Sequence, residues 1–85
     1  MTIQLIFLAR LRERFGVARE VFELPAHVST VAALLAELRE RGGAFADELA
    51  ATRAFRVAVN QEVVAVDHAV KAGDEVAIFP PVTGG

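Results

Sequence analysis

Cysteine is absent from this sequence of 85 residues. Its absence excludes disulfide bonds, thiolate metal sites and cysteine nucleophiles, and it agrees with a reducing compartment. The chain also lacks a basic block and has a formal net charge of −2, which gives nucleic-acid binding little support. No apolar run approaches a membrane span, and residues 3–9 lack the length and flanks of a signal peptide. We therefore expect a soluble, cytoplasmic protein that binds neither nucleic acid nor membranes.

Apolar residues, by contrast, are plentiful. They make up 54% of the chain without glycine, whereas a typical domain reaches roughly 45–50% with glycine included. A single domain of this size buries only a small core, so some apolar surface should stay outside and mark a partner. The alternative is that the many small alanines raise the count without forming such a patch.

The first half of the chain predicts two strands and a helix. Residues 2–9 are almost wholly apolar after Gln4, which is typical of a strand covered on both faces, and residues 17–24 form a second strand. Between them, residues 10–15 fit one or two helical turns closed by Gly16. The clearest helix spans residues 29–41, because its apolar residues share one helical stripe; they are Val31, Leu34, Leu35 and Leu38.

The second half predicts three more strands. Residues 44–53 fit either a loop or a short helix. Residues 55–59 and 62–66 form a hairpin around a tight turn at Asn60 and Gln61, and residues 75–79 form the last strand.

This order of elements predicts an α+β fold, the β-grasp or ubiquitin-like architecture. It has a mixed sheet of about five strands with one main helix packed on it, and its first and last strands lie parallel in the middle. We expect residues 1–79 to form this domain and residues 80–85 to form an extended flexible tail.

A catalytic constellation is missing. His27 and His68 have no partner at metal-binding spacing, and no hydroxyl residue has a histidine in register. A solvated face explains the acidic residues on and after the helix, which are Glu37, Glu40, Asp47 and Glu48. We therefore expect the chain to have no active site of its own, no metal and no bound cofactor.

The tail carries the remaining signal. Pro80 and Pro81 cannot donate to a sheet and favour an extended chain, whereas Val82 and Thr83 retain some shape for recognition. After them, Gly84 and Gly85 leave only backbone and a terminal carboxylate, which can enter a narrow channel. That carboxylate needs activation by another protein, for example as an acyl-adenylate. The alternative is a frayed end or a cloning remnant.

The sequence resembles the small subunit of molybdopterin synthase, the MoaD family, over essentially its whole length. The resemblance is sharpest in residues 7–13, in the Ala58-Val59-Asn60-Gln61 segment, and from Asp67 to the FPPVTGG ending. It implies a sulfur carrier. In such a carrier, a MoeB-like adenylating enzyme is expected to use ATP to activate Gly85, and a sulfur donor is expected to convert the adenylate to a thiocarboxylate. The resemblance further implies that the loaded tail gives its sulfur to cyclic pyranopterin monophosphate in the active site of a MoaE-like large subunit, within a heterotetramer.

The resemblance also implies residue roles. Gly85 is the carrier site, and Gly84 gives it access. Phe79, Phe7 and Val63 match an apolar surface that meets the partner, with core packing as the alternative for Phe7 and Phe79, and Arg12 matches an arginine that contacts it. The tail residues Pro80, Pro81, Val82 and Thr83 are expected to bind the partner as well.

Two other functions use the same chemistry. The activated glycine could form an isopeptide bond with a lysine, as in ubiquitin-like modifiers. It could also deliver sulfur to another pathway, such as the synthesis of thiamine, cysteine or thiolated tRNA. The FPPVTGG ending favours the molybdopterin type without excluding them.

Overall fold

Residues 1–81 are the part of the chain that the computed structural model describes. The predictions for Val82, Thr83, Gly84 and Gly85 therefore lie outside the described residues. Within residues 1–81 the chain forms five strands and three helices. In chain order they are β1 (Thr2–Phe7), α1 (Ala9–Phe15), β2 (Arg19–Glu23), α2 (Val31–Arg39), α3 (Gly43–Glu48), β3 (Arg56–Val59), β4 (Glu62–Val64) and β5 (Glu75–Phe79).

The five strands form one mixed sheet in the order β2-β1-β5-β3-β4. Strands β1 and β5 pair in parallel at its centre, and the other neighbours are antiparallel. The β3–β4 hairpin turns through Asn60 and Gln61, which both have positive φ, as a two-residue type I′ turn requires. This is the predicted β-grasp fold with the predicted central strand pair.

Helix α2 supplies one layer of the core. Thr30 caps it, because its Oγ1 accepts a hydrogen bond from the backbone N–H of Ala33 at 3.2 Å. All four residues of the predicted apolar stripe are buried; they are Val31, Leu34, Leu35 and Leu38. The stripe meets the inward side chains of the central strands, Ile3, Leu5, Val76 and Ile78 among them.

The other two helices are short. Gly16 closes α1 in the left-handed region, with φ at 75°, and its N–H donates to the Arg12 carbonyl. Helix α3 begins one residue before the segment that fitted either a loop or a helix and occupies the first half of it. Strand β4 is shorter than predicted, because the chain then turns towards α2, where the Val66 carbonyl accepts from the N–H of Ala32.

The prediction that the first strand is covered on both faces was wrong. Within residues 1–81, helices cover one side of the sheet and not the other, and on the covered side Phe7 and the other inward residues are fully or nearly fully buried. The opposite side remains open, and on β1 it carries Gln4, Ile6 and, just after the strand, Leu8. Apolar residues at two of these outward positions, Ile6 and Leu8, hid the alternation that normally reveals a half-covered strand.

Candidate functional site

The open face, defined as the outward side of the sheet, has an apolar middle row. The strand registers place Ile6 beside Ala77, Ala77 beside Ala58, and Ala58 beside Val63. This row is shallow because the residues on β5 and β3, Ala77 and Ala58, have small side chains. Val63, on the edge strand, is 60% exposed.

A second row lies where β5 ends and the tail begins. The backbone N–H of Leu8 donates to the Ile78 carbonyl at 3.2 Å, which extends the parallel ladder and sets Leu8 beside Phe79. On the other side of Phe79, the register places Arg56 directly opposite. Leu8 is 44% exposed and Phe79 is half-buried, so an apolar ridge stands at the exit of the tail.

A polar row borders the other end of the open face. Arg19 Nη1 donates to Gln4 Oε1 at 3.0 Å, and its guanidinium lies 4.0 Å from the Glu75 carboxylate. Beyond them, on the edge strand β2, Val21 is exposed. The apolar part of the open face therefore lies on the tail side of the sheet.

The structure brings several of the predicted partner residues together. Phe79 and Val63 lie on the open face with one strand between them, and Pro80 and Pro81 follow Phe79 directly as half-buried residues. Arg12 is exposed and one helical turn after Leu8, which places it on the same side of α1 as Leu8.

Phe7 is corrected from the partner surface to the core. It is fully buried, and its ring makes edge-to-face contacts with Phe15 at 4.9 Å and Phe45 at 5.9 Å between centroids. Strand alternation is the reason, because Phe7 points inward and Leu8 outward. The sequence analysis missed Leu8, because the sequence of β1 alone does not show which of its faces the helices cover.

Glu48 is a second correction, because it does not lie on a solvated face. It is only 4% exposed and accepts hydrogen bonds from Arg14 Nε at 2.9 Å and Arg10 Nη2 at 3.1 Å; Arg53 lies 3.6 Å away. Burial opposes its charge, but the arginines outweigh burial and lower the pKa of Glu48 below its ordinary value.

This arginine cluster around Glu48 lies next to the base of the tail. A small open cavity of about 40 Å³ lies there, and its lining residues are Arg10, Leu11, Glu48, Arg53, Ala54 and Pro80. Ligand pockets usually span about 300–1,000 Å³, so this cavity is too small for a substrate. Among residues 1–81 no group of three His, Asp or Glu side chains could hold a metal ion.

Within the same described residues, no helix is long and apolar enough to cross a membrane. The described part of the site is an apolar face with the exposed arginines Arg12 and Arg56, beside the point where Pro80 and Pro81 follow β5.

Known proteins share this architecture and sequence. The chain is 40% identical to the molybdopterin synthase sulfur carrier subunit of Escherichia coli over 83 residues, 98% of this chain and 99% of that protein. A putative molybdopterin converting factor subunit 1 of Pyrococcus furiosus is 32% identical, with a TM-score of 0.79, over 96% of this chain and 99% of that one. SAMP1 of Haloferax volcanii is 29% identical, with a TM-score of 0.78, over the whole of both chains.

The family comparison agrees with these relatives. Residues 5–85 match the ThiS family, and this match includes the open face, the base of the tail and the FPPVTGG ending. The chain therefore belongs to the ThiS family and, within it, groups with the molybdopterin synthase sulfur carrier subunits.

Proposed function

We propose that this protein is the sulfur carrier subunit of a molybdopterin synthase. The observation that carries the proposal is the full-length similarity to the E. coli sulfur carrier subunit. The tail that ends in Gly85 would carry the sulfur, and the open face would dock the large subunit beside the point where the tail leaves the sheet.

The proposed chemistry needs three steps. The Gly85 carboxylate attacks the α-phosphorus of ATP on a MoeB-like adenylating enzyme, which forms an acyl-adenylate and releases pyrophosphate. Sulfide then displaces AMP and leaves a thiocarboxylate. The thiocarboxylate sulfur finally displaces an oxygen substituent of cyclic pyranopterin monophosphate, and water hydrolyses the resulting thioester, so the sulfur stays on the pterin and Gly85 returns to a carboxylate.

The geometry supports a division of labour between subunits. The cavity at the base of the tail is too small for a pterin or a nucleotide, and the open face is shallow and apolar. We propose that the substrate site and the catalytic side chains belong to the large subunit, in a heterotetramer, and that ATP is bound by the adenylating enzyme.

Deletion of Gly85 tests the function. The purified large subunit, the adenylating enzyme, ATP and a sulfur source are combined with wild-type protein or with the deletion variant, and molybdopterin is assayed. We expect no product with the variant, while its circular dichroism and melting temperature stay unchanged. Product formation at the wild-type rate would overturn the proposal.

A protein-modifier function is the second candidate, because the chain also resembles SAMP1, a small archaeal modifier protein. An isopeptide bond would use the same acyl-adenylate but with a lysine amine as the nucleophile. Mass spectrometry of cell lysates separates the two: a carrier yields the thiocarboxylate, whereas a modifier yields tryptic peptides in which a target lysine carries residues 72–85, because Lys71 is the last tryptic site of the chain.

A further inference from the structure

Arg56 occupies an unusual place on the open face. It is the first residue of β3 and lies directly opposite Phe79, the last residue of β5. The next outward residue on its own strand is Ala58, in the apolar middle row. An exposed guanidinium therefore stands among apolar neighbours, beside the residue from which the tail departs.

Most of the other arginines of this protein form hydrogen bonds within the domain. Of the eight in the sequence, six donate hydrogen bonds to other described residues; these are Arg10, Arg14, Arg19, Arg39, Arg41 and Arg53. Among residues 1–81, Arg12 and Arg56 have no such side-chain partner. Their five donors remain available to another molecule.

Docking would change the surroundings of Arg56. Strand β3 lies between Phe79 on β5 and Val63 on β4. A partner that covers Phe79 and Val63 therefore also covers Arg56 on β3 and removes water from its guanidinium. A charge that loses water without gaining an acceptor costs several kcal/mol. A carboxylate is the acceptor that matches the guanidinium best, because it accepts two parallel hydrogen bonds.

We propose that Arg56 is a specificity-determining contact that binds a carboxylate side chain of the large subunit docked on the open face. The inference rests on the proposed function. Arg12, on the α1 side of Leu8, is the partner contact that the family resemblance implies. Arg56 adds a second cation on the opposite side of Phe79. The partner would therefore contact a positive charge on each side of the apolar ridge formed by Leu8 and Phe79.

Binding of the purified large subunit to three variants tests this contact by calorimetry in about 0.15 M salt, where the Debye length is about 8 Å. The variants are Arg56→Leu, Arg56→Glu and the control Lys71→Glu. Lys71 also has no side-chain partner among residues 1–81, and it precedes β5 at the end opposite Phe79, so the control makes the same charge change at a distance.

We expect Arg56→Glu to raise the Kd at least about 30-fold, as for the loss of a buried charged hydrogen bond, and Lys71→Glu to leave it within about twofold. Arg56→Leu should also weaken binding, because it leaves the partner's carboxylate unpaired. If Arg56→Leu binds as tightly as the wild type or tighter, or if Arg56→Glu behaves like Lys71→Glu, the contact does not exist.

The wild-type titration separates this inference from the proposed function. Absence of wild-type binding contradicts the proposed function itself, whereas normal wild-type binding with indifferent Arg56 variants contradicts only the carboxylate contact. Arg56 and Lys71 are both exposed, so all three variants should retain the wild-type melting temperature, and Arg56→Leu provides a second measurement if the charge reversal at Arg56 disturbs folding.

Discussion

Leu8 and Phe79 stand side by side on the open face because the N–H of Leu8 donates to the carbonyl of Ile78 at 3.2 Å. The preceding pair in the same ladder, Phe7 and Ile78, points into the core and is fully buried. Phe7 and Ile78 thus stabilise the core, whereas the next residue on each strand, Leu8 or Phe79, lies on the open face and can contact a partner.

Alanine substitutions at the adjacent residues Phe7 and Leu8 should therefore act differently. Phe7→Ala should lower the free energy of unfolding by about 3–5 kcal/mol, because it opens a cavity against Phe15 and Phe45. Leu8→Ala should cost less than about 1 kcal/mol, since Leu8 is 44% exposed, yet it should weaken binding of the large subunit. Urea unfolding and calorimetry measure the two effects; equal losses of stability would contradict this division.

Val63 and Val66 provide a matched pair for the open face. Both are exposed, 60% and 54% respectively, but Val66 follows β4 and lies beside the first turn of α2, where its carbonyl accepts a hydrogen bond from the N–H of Ala32. Val63→Asp should weaken large-subunit binding at least about tenfold, because it puts a charge into an apolar contact. Val66→Asp should bind normally, and equal weakening by both variants would place the interface elsewhere.

Glu48→Gln should destabilise the domain by about 1–3 kcal/mol at neutral pH, because it removes the charged acceptor of Arg10 and Arg14. The folded protein lowers the pKa of Glu48 from the ordinary value of 4.5. Its ionised form therefore contributes stability above about pH 4.5, and this contribution is lost as the pH falls through the lower, folded pKa.

The measurement is the difference in unfolding free energy between wild type and Glu48→Gln, followed from neutral to acidic pH. It should be largest near neutrality and shrink below pH 4.5. Glu62→Gln is the control, because Glu62 is exposed and forms no side-chain hydrogen bond among the described residues; its effect should stay within about 0.5 kcal/mol. A constant difference for Glu48→Gln at all pH values would show that the ion pairs contribute nothing.

Much of the fold could be predicted from local pattern. The stripe on α2, the turn at Asn60 and Gln61 and the closure of α1 by Gly16 all depend on residues close in sequence. The FPPVTGG ending and the surrounding motifs likewise predicted the family, because they are contiguous.

The errors about the first strand, Phe7 and Glu48 all concern long-range packing. The burial of Phe7 and the exposure of Leu8 depend on which side of the sheet the helices cover, and both residues are apolar. The burial of Glu48 depends on Arg10 and Arg14, which are more than 30 residues away in sequence. Periodicity within a single segment contains neither piece of information.

The most direct test of the carrier function is the intact mass of the protein after incubation with ATP, the adenylating enzyme and sulfide. The predicted result is a gain equal to the exchange of one oxygen for sulfur, located on the C-terminal peptide at Gly85 and absent when ATP is omitted. An unchanged mass under these conditions, or a sulfur atom found on any other residue, would contradict it.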